Sequence, residues 1–291
     1  MNSMIKIRRF VVGIFVGLFI GVNCHAQSFL TNGLVAYYPF NGNANDASGN
    51  GNNGTIYGGV VLASDRFGNP NSAYAFNGVN GYIDIGNPVG NNPVYLTESC
   101  WVAMNSLQTA TGAPSMCTII TKRKVDGDSW ATLGFIPGGP TTGTGAIAAD
   151  ASFHYNPCAG TIQIPTNVWV SICGVFSNGT YQIYVNGSLE NTINDGTALN
   201  SDDDMVLMYE APWSTGEYTG GVLNDVRIYN RALSSSEVSQ LYAIESDKIN
   251  ITSDLTNSYV VNGQNTTMSV TASGTSPLSY QWYFVPADNS G

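Results

Sequence analysis

The chain has 291 residues, with 33 Gly, 16 Tyr and only 10% charged side chains; 20 acidic residues against 10 basic give a formal net charge of −10. So acidic a chain is repelled by phosphate backbones and anionic lipid, which sets aside nucleic acid and membrane surfaces as partners and leaves cations and neutral ligands. Apolar runs are short and bounded by Gly, Asn, Asp or Pro, which excludes a helical core and points to an all-β protein.

At the N-terminus, Lys6, Arg8 and Arg9 precede the apolar stretch 10–22, and Cys24-His25-Ala26 offers small residues where signal peptidase reads. Roughly a dozen apolar residues are too few for a ~20-residue membrane span. Residues 1–26 are therefore expected to be a signal peptide cleaved after Ala26, for a protein that is secreted or held at the cell surface, with no membrane insertion once the leader is gone. Its removal leaves 7 basic residues against 20 acidic ones, a formal charge of −13, with His154 as the one histidine. Four cysteines remain, and in an exported chain they read as two disulfides with three possible pairings. Cys100 with Cys173 and Cys117 with Cys158 are favoured, because the first two lie mid-strand and the second two flank loops.

Eleven stretches carry strand signals: 33–40, 55–62, 73–76, 82–85, 96–104, 118–122, 130–136, 168–176, 181–185, 204–209 and 221–229. Asn178-Gly179 and Asn186-Gly187 supply the positive φ that tight hairpin turns require. So many strands without intervening helices imply two stacked antiparallel sheets.

Within DASGNGNNG, Asp46, Ser48 and Asn50 recur at every second position and Gly51 follows, a spacing that lets a turning loop aim alternate oxygens at one hard cation. An EF-hand would need a bidentate Glu where Tyr57 stands, so the remaining ligands must come from elsewhere. The same run also reads as a turn closed by its own side chain to backbone bonds. Asp202-Asp203-Asp204 reads as a solvated loop, and turn chemistry explains Asp126 and Asp128. For sugar stacking, Trp101 and Trp169 lie within strands and read as core. Trp213, in the loop EAPWSTGEY, is the better aromatic plate, with Tyr218, Glu210 and Glu217 beside it.

Residues 225–242 write a strand, an exit and one short helix. Val226 and Ile228 alternate with polar neighbours, Ser234 and Glu237 form a capping box, and Leu233 and Val238 form a hydrophobic staple. The helix is expected to start at about Ser235, and no other segment reads as helical. The last 42 residues, 250–291, change character, with two alternating strands and Trp282 within a strand.

Four blocks carry a family resemblance: LVAYYPFNGNANDASGNGNNGTIYGG at 34–59, AFNGVNGYIDIG at 75–86, NVWVSICGVFSNGTYQIYVNGSL at 167–189 and DVRIYNRALSSSEV at 225–238. In this order they resemble the laminin-G-like jelly roll of the concanavalin A-like superfamily, here over residues 27–246. The 250–291 segment resembles the opening part of a bacterial immunoglobulin-like domain, truncated, with Trp282 in its third strand. The resemblance implies an all-β, two-sheet antiparallel jelly-roll sandwich with one short C-terminal helix, followed by a partial immunoglobulin-like segment. It also implies that the 46–53 loop packs near the final strand, making Asp225 and Asn53 further donors to a structural calcium ion (Ca2+).

On function the fold is permissive. No Glu-x-Asp-x-x-Glu pattern of a retaining glycosidase occurs. His154 beside Tyr155 resembles the His and Tyr pairs of polysaccharide lyases, and nothing else suggests an enzyme. The expectation is a non-catalytic module that binds a polysaccharide or cell-surface glycan. The alternatives are a structural spacer or protein-adhesion module of a large surface protein, and an accessory module of a polysaccharide-degrading enzyme or such an enzyme itself.

Overall fold

The computed structural model describes residues 4–6, 13–15, 28–105, 117–122, 131–137, 142–149, 158–194, 196, 198–199, 203–210, 217–247, 250–253, 259–261, 271–273 and 279–281. They form two compact units, Ala26–Ala243, and Met1–His25 with Ile244–Gly291.

The larger unit is a sandwich of two antiparallel sheets. The first runs from edge to edge through Ser188–Asn194, Thr180–Val185, Val170–Ser177, Tyr95–Met104, Gly220–Tyr229, Ala73–Asn77 and Val60–Ala63, with Leu34–Tyr38 pairing the far half of Gly220–Tyr229. The second runs through Cys158–Ala159, Thr142–Ala149, Ala131–Pro137, Cys117–Lys122, Met205–Leu207, Tyr82–Asp84 and Thr55–Tyr57, with Ile164–Pro165 on Thr142–Ala149. Alternation builds the core between them. Leu96, Cys100, Val102 and Met104 from one long strand meet Ile83, Ile85, Ile120, Leu133 and Leu207 from the other sheet.

The opposite face of the first sheet buries a second cluster under the C-terminal helix Ser235–Ser246. Cys173, Val175, Tyr184 and Tyr229 of the sheet meet Leu233, Val238 and Leu241 there. The helix begins as its sequence predicts. Ser234 N donates to Glu237 Oε2 at 2.8 Å, and Glu237 N donates to Ser234 Oγ at 3.3 Å. Arg231 ties the same corner together, pairing with Glu237 at 2.9 Å and donating to the carbonyls of Asn32 and Phe29.

Several expectations are corrected by this architecture. Residues 55–62 are two strands, not one, because Gly58 at φ 65° turns the chain from one sheet to the other. Met208 at φ 62° likewise splits 204–209 into Met205–Leu207 and Tyr209–Glu210. Thr142–Ala149 and Ser188–Asn194 are additional strands, and Ser28–Thr31 is a four-residue helix that no sequence signal marked.

Disulfides are absent among the described residues, and the four cysteines are buried thiols. Register explains why Cys100 and Cys173 cannot join. Cys100 stands opposite Ile172 and Cys173 opposite Ser99, so the two sulfurs point to opposite faces of one sheet. Cys117 and Cys158 lie three strands apart, about 14 Å at ~4.8 Å per strand, twice the ~7 Å Cα limit for a bridge.

In the smaller unit, Asn250–Ser253 pairs with Thr271–Ser273. Tyr259–Val261 pairs with Met4–Lys6, and Ser279–Gln281 with Gly13–Phe15, two segments that lie in the expected leader. Trp282 lies outside the described residues.

Candidate functional site

Tyr82–Asp84 sends Ile83 inward and Tyr82 and Asp84 outward. Thr55–Tyr57 is paired beside it with Tyr57 opposite Tyr82. On the other side, the left-handed turn at Met208, held by its N–H on Ile119 O at 2.8 Å, delivers Tyr209 to the outer surface. Tyr209 in turn pairs with Tyr218 in the short hairpin Tyr209–Glu210 and Glu217–Tyr218.

The result is a cluster of four tyrosines drawn from three distant stretches of sequence. Ring centroids lie 4.7 Å apart for Tyr57 and Tyr82, 4.9 Å for Tyr82 and Tyr209, and 4.7 Å for Tyr209 and Tyr218, all stacked. Tyr82 also touches Tyr218 at 6.4 Å. Burial raises the phenol pKa values of Tyr82 and Tyr209, and the neighbouring phenols add to the rise, so both rings stay neutral. Inner rings are covered by their neighbours, so open aromatic faces belong to the ends of the cluster. Tyr57 is the most open of the four, 42% exposed.

The hairpin register sets Glu210 opposite Glu217 and makes these two the flanks of the 211–216 loop. Trp213 lies in that loop, outside the described residues, as do His154, Tyr155, Asp126, Asp128 and Asp202. Of the predicted ligand group, the structure thus brings Tyr218 into the cluster. Tyr57, Tyr82 and Tyr209 were missed because each reads locally as an ordinary strand residue. Only the register unites them.

The loop at 46–53 is closed by its own side chain to backbone bonds. Asp46 Oδ1 accepts the backbone N–H groups of Tyr37 at 3.0 Å and Ser48 at 2.8 Å, and Oδ2 accepts Ser48 Oγ at 2.8 Å and Asn52 N at 3.0 Å. Asn53 Oδ1 receives Asp46 N at 2.9 Å. Asn50 Nδ2 sits among three oxygens, Leu34 O, Val35 O and Ser48 Oγ, at 2.9–3.2 Å. Although burial opposes it, these donors hold the Asp46 carboxyl below its ordinary pKa. The donor set is one carboxylate, one hydroxyl and several carbonyls, chemistry a hard cation accepts, yet those oxygens already receive protein hydrogens.

Asp225 has two partners of its own, one of which, Tyr37, also donates its backbone N–H to Asp46. Its Oδ1 accepts the Tyr37 hydroxyl at 2.7 Å and its Oδ2 pairs with Arg66 at 2.7 Å. A bulge between Asn224 and Arg227, with Asp225 at φ 48°, turns the carboxylate to that partner. The Arg66 guanidinium is itself held over the rings of Phe67 and Trp101, each at 4.5 Å. Among the described residues, no group of three His, Cys, Asp or Glu converges as metal ligands. Among them, too, no helix is long and apolar enough to cross a membrane.

Residues 77–239 match the family model described as the concanavalin A-like lectin/glucanases superfamily. No curated protein matches the chain. Among solved structures, it is similar to domain 4 of AbnA, a GH43 extracellular arabinanase from Geobacillus stearothermophilus, in complex with arabinotriose. That likeness has 24% identity and a TM-score of 0.54 over 72% of this chain and 98% of that one. The binding domain of Paraclostridial Mosquitocidal Protein 1 is similar at 16% identity and TM-score 0.58, over 74% of this chain and 53% of that one. A botulinum neurotoxin type C structure, described as dependent for cell entry on two ganglioside molecules, gives 16% and 0.54 over 75% and 52%. The chain thus spans about half of each toxin chain. Identities this low show a shared fold.

Proposed function

This chain belongs to the concanavalin A-like lectin/glucanases superfamily, and from that premise we propose that it is a secreted, non-catalytic module that binds a polysaccharide or cell-surface glycan. The observation that carries this reading is the tyrosine cluster. Sugars offer apolar C–H faces that settle on aromatic rings, while their hydroxyls bond to nearby polar groups. A rigid sheet holds the rings, so little ordering entropy is lost on binding. In this reading Tyr218 and Trp213 form the stacking surface at one end of the cluster, and Glu210 and Glu217 accept from sugar hydroxyls. The similarity to an arabinanase domain solved with arabinotriose lends support.

Affinity electrophoresis of the purified chain against a panel of polysaccharides tests the reading. Retardation by at least one polymer is expected, weakened about tenfold by Tyr218→Ala or Trp213→Ala, the scale of one lost aromatic contact. A chain that no polymer retards is a spacer or protein-adhesion module instead. The second reading, an accessory module of a polysaccharide-degrading enzyme, is favoured by the match across 98% of one arabinanase domain. It predicts the same retardation and no new chain ends from this protein alone.

The calcium half of the proposal is an exchange. A hard cation held by Asp46, Ser48, Asn50 and Asn53 takes the place of hydrogen bonds that now close the loop, and supplies rigidity there. Asp225 keeps Arg66. Melting in calcium against melting in chelator measures this: a higher Tm with calcium is expected, and equal Tm values would remove the ion.

A further inference from the structure

The Tyr57 end of the tyrosine cluster has its own construction. Thr55–Tyr57 is the outermost strand of its sheet, so Tyr57 stacks on Tyr82 by one face and, among the described residues, no strand pairs beyond it. Gly58 follows at φ 65°, and a Cβ placed there would meet the Asn80 carbonyl oxygen at 1.9 Å. The absence of a side chain is what lets the 77–81 loop close against the residue after Tyr57.

That loop is tightly organised. Asn77 Oδ1 accepts the N–H groups of Val79, Asn80 and Gly81 at 2.9–3.2 Å. The Asn80 amide oxygen is pinned by Asn77 Nδ2 at 2.8 Å and Gly59 N at 3.0 Å. Asn80 is exposed, and with its oxygen fixed the position of its NH2 donor is set by the loop before any ligand arrives.

Charge then selects the ligand. Residues 47–64 and 67–83 contain no Asp, Glu, Lys, Arg or His, in a chain of net charge −10. The nearest carboxylate along the Tyr82–Asp84 strand, Asp84, accepts Gly86 N at 2.8 Å. With no Lys, Arg or His in those stretches, the edge offers no counter-ion for uronates or sulfates, and outward-facing Asp84, opposite Thr55, together with the acidic remainder of the molecule repels them. Val61 and Val79, 61% and 70% exposed, add apolar surface in the strand Val60–Ala63 and in the 77–81 loop.

We propose that this edge is a second sugar subsite, selective for neutral polysaccharides, with the Tyr57 ring as the stacking plate and the Asn80 amide as a hydroxyl-facing donor. It rests on the carbohydrate-binding reading above, but uses residues at the opposite end of the cluster. The full chain is titrated in affinity electrophoresis with neutral polymers (arabinan, xylan, mixed-linkage glucan) and acidic ones (polygalacturonate, alginate), with Tm recorded for every variant.

Retardation by a neutral polymer is expected, about tenfold weaker in Tyr57→Ala and several-fold weaker in Asn80→Asp, with binding kept in Tyr57→Trp. Unchanged Tm values confirm that the losses are local. Binding that ignores Tyr57 and Asn80 but is lost in Tyr218→Ala overturns the subsite and leaves the broader function standing. Retardation by acidic polymers alone overturns the neutral selectivity. A chain that binds no polymer, and dimerises through an edge that Tyr57→Ala disrupts, overturns both and makes this a self-association surface.

Discussion

Glu98 is a costly residue to bury. It lies on the core face of Tyr95–Met104 between Leu96 and Cys100, opposite Gly174 and Ile228, and neither carboxylate oxygen has a hydrogen-bond partner. Burial pushes its pKa up to about 8, so the folded protein holds it protonated at neutral pH. The unfolded chain ionises it near the ordinary 4.5. Below that value both states keep the proton and the full contribution of the group is present. From there to about pH 8 only the unfolded state releases it, so stability declines by about 1.4 kcal/mol per pH unit. Glu98→Met is expected to flatten this part of the stability–pH curve in denaturant titrations and to add about 1–3 kcal/mol at pH 7. A wild-type curve no steeper than that of the variant would contradict it. Gly58 is costly in the other direction: Gly58→Ala forces a positive φ and a collision with Asn80, and is expected to cost about 2–4 kcal/mol in chemical denaturation.

At the scale of elements, the helix Ser235–Ser246 was readable because its signals are local: the capping pair and the staple are three to five residues apart. Ser234→Ala should lower stability by about 1 kcal/mol, seen as an earlier denaturation midpoint with an unchanged slope. The two Asn-Gly hairpins were readable for the same reason, and Asn178, Gly179, Asn186 and Gly187 all take positive φ. What escaped was whatever depends on register between distant strands. Cys100 and Cys173 are one residue out of alignment, a difference that reverses the face but leaves no trace in spacing. Met208 adopts φ 62° with no Gly or Asn to announce it, and without that turn Tyr209 could not have been placed beside Tyr82. The thiol assignment is directly checkable. Four reactive thiols per leaderless chain are expected in denaturant without reductant. In the native state Cys158 should be slow to alkylate, since burial pushes its pKa up to about 11. Two or no thiols in denaturant would restore the disulfides.

The sandwich combines an excess of acidic side chains, an edge whose strands carry no cation, and an aromatic cluster fixed on a sheet by strand register. Each is a property of the assembled sandwich, since Tyr57, Tyr82, Tyr209 and Tyr218 meet only when Met205–Leu207 inserts between Cys117–Lys122 and Tyr82–Asp84. The proposed sugar surface therefore depends on the fold without belonging to any one segment. The most direct test is isothermal titration of the chain with neutral oligosaccharides, for the wild type and for a Tyr57→Ala, Tyr218→Ala double variant of matching Tm. Saturable heat from the wild type, weakened by about two orders of magnitude when both end rings are removed, is the predicted result. No heat from the wild type, or equal affinity in the double variant, would contradict it.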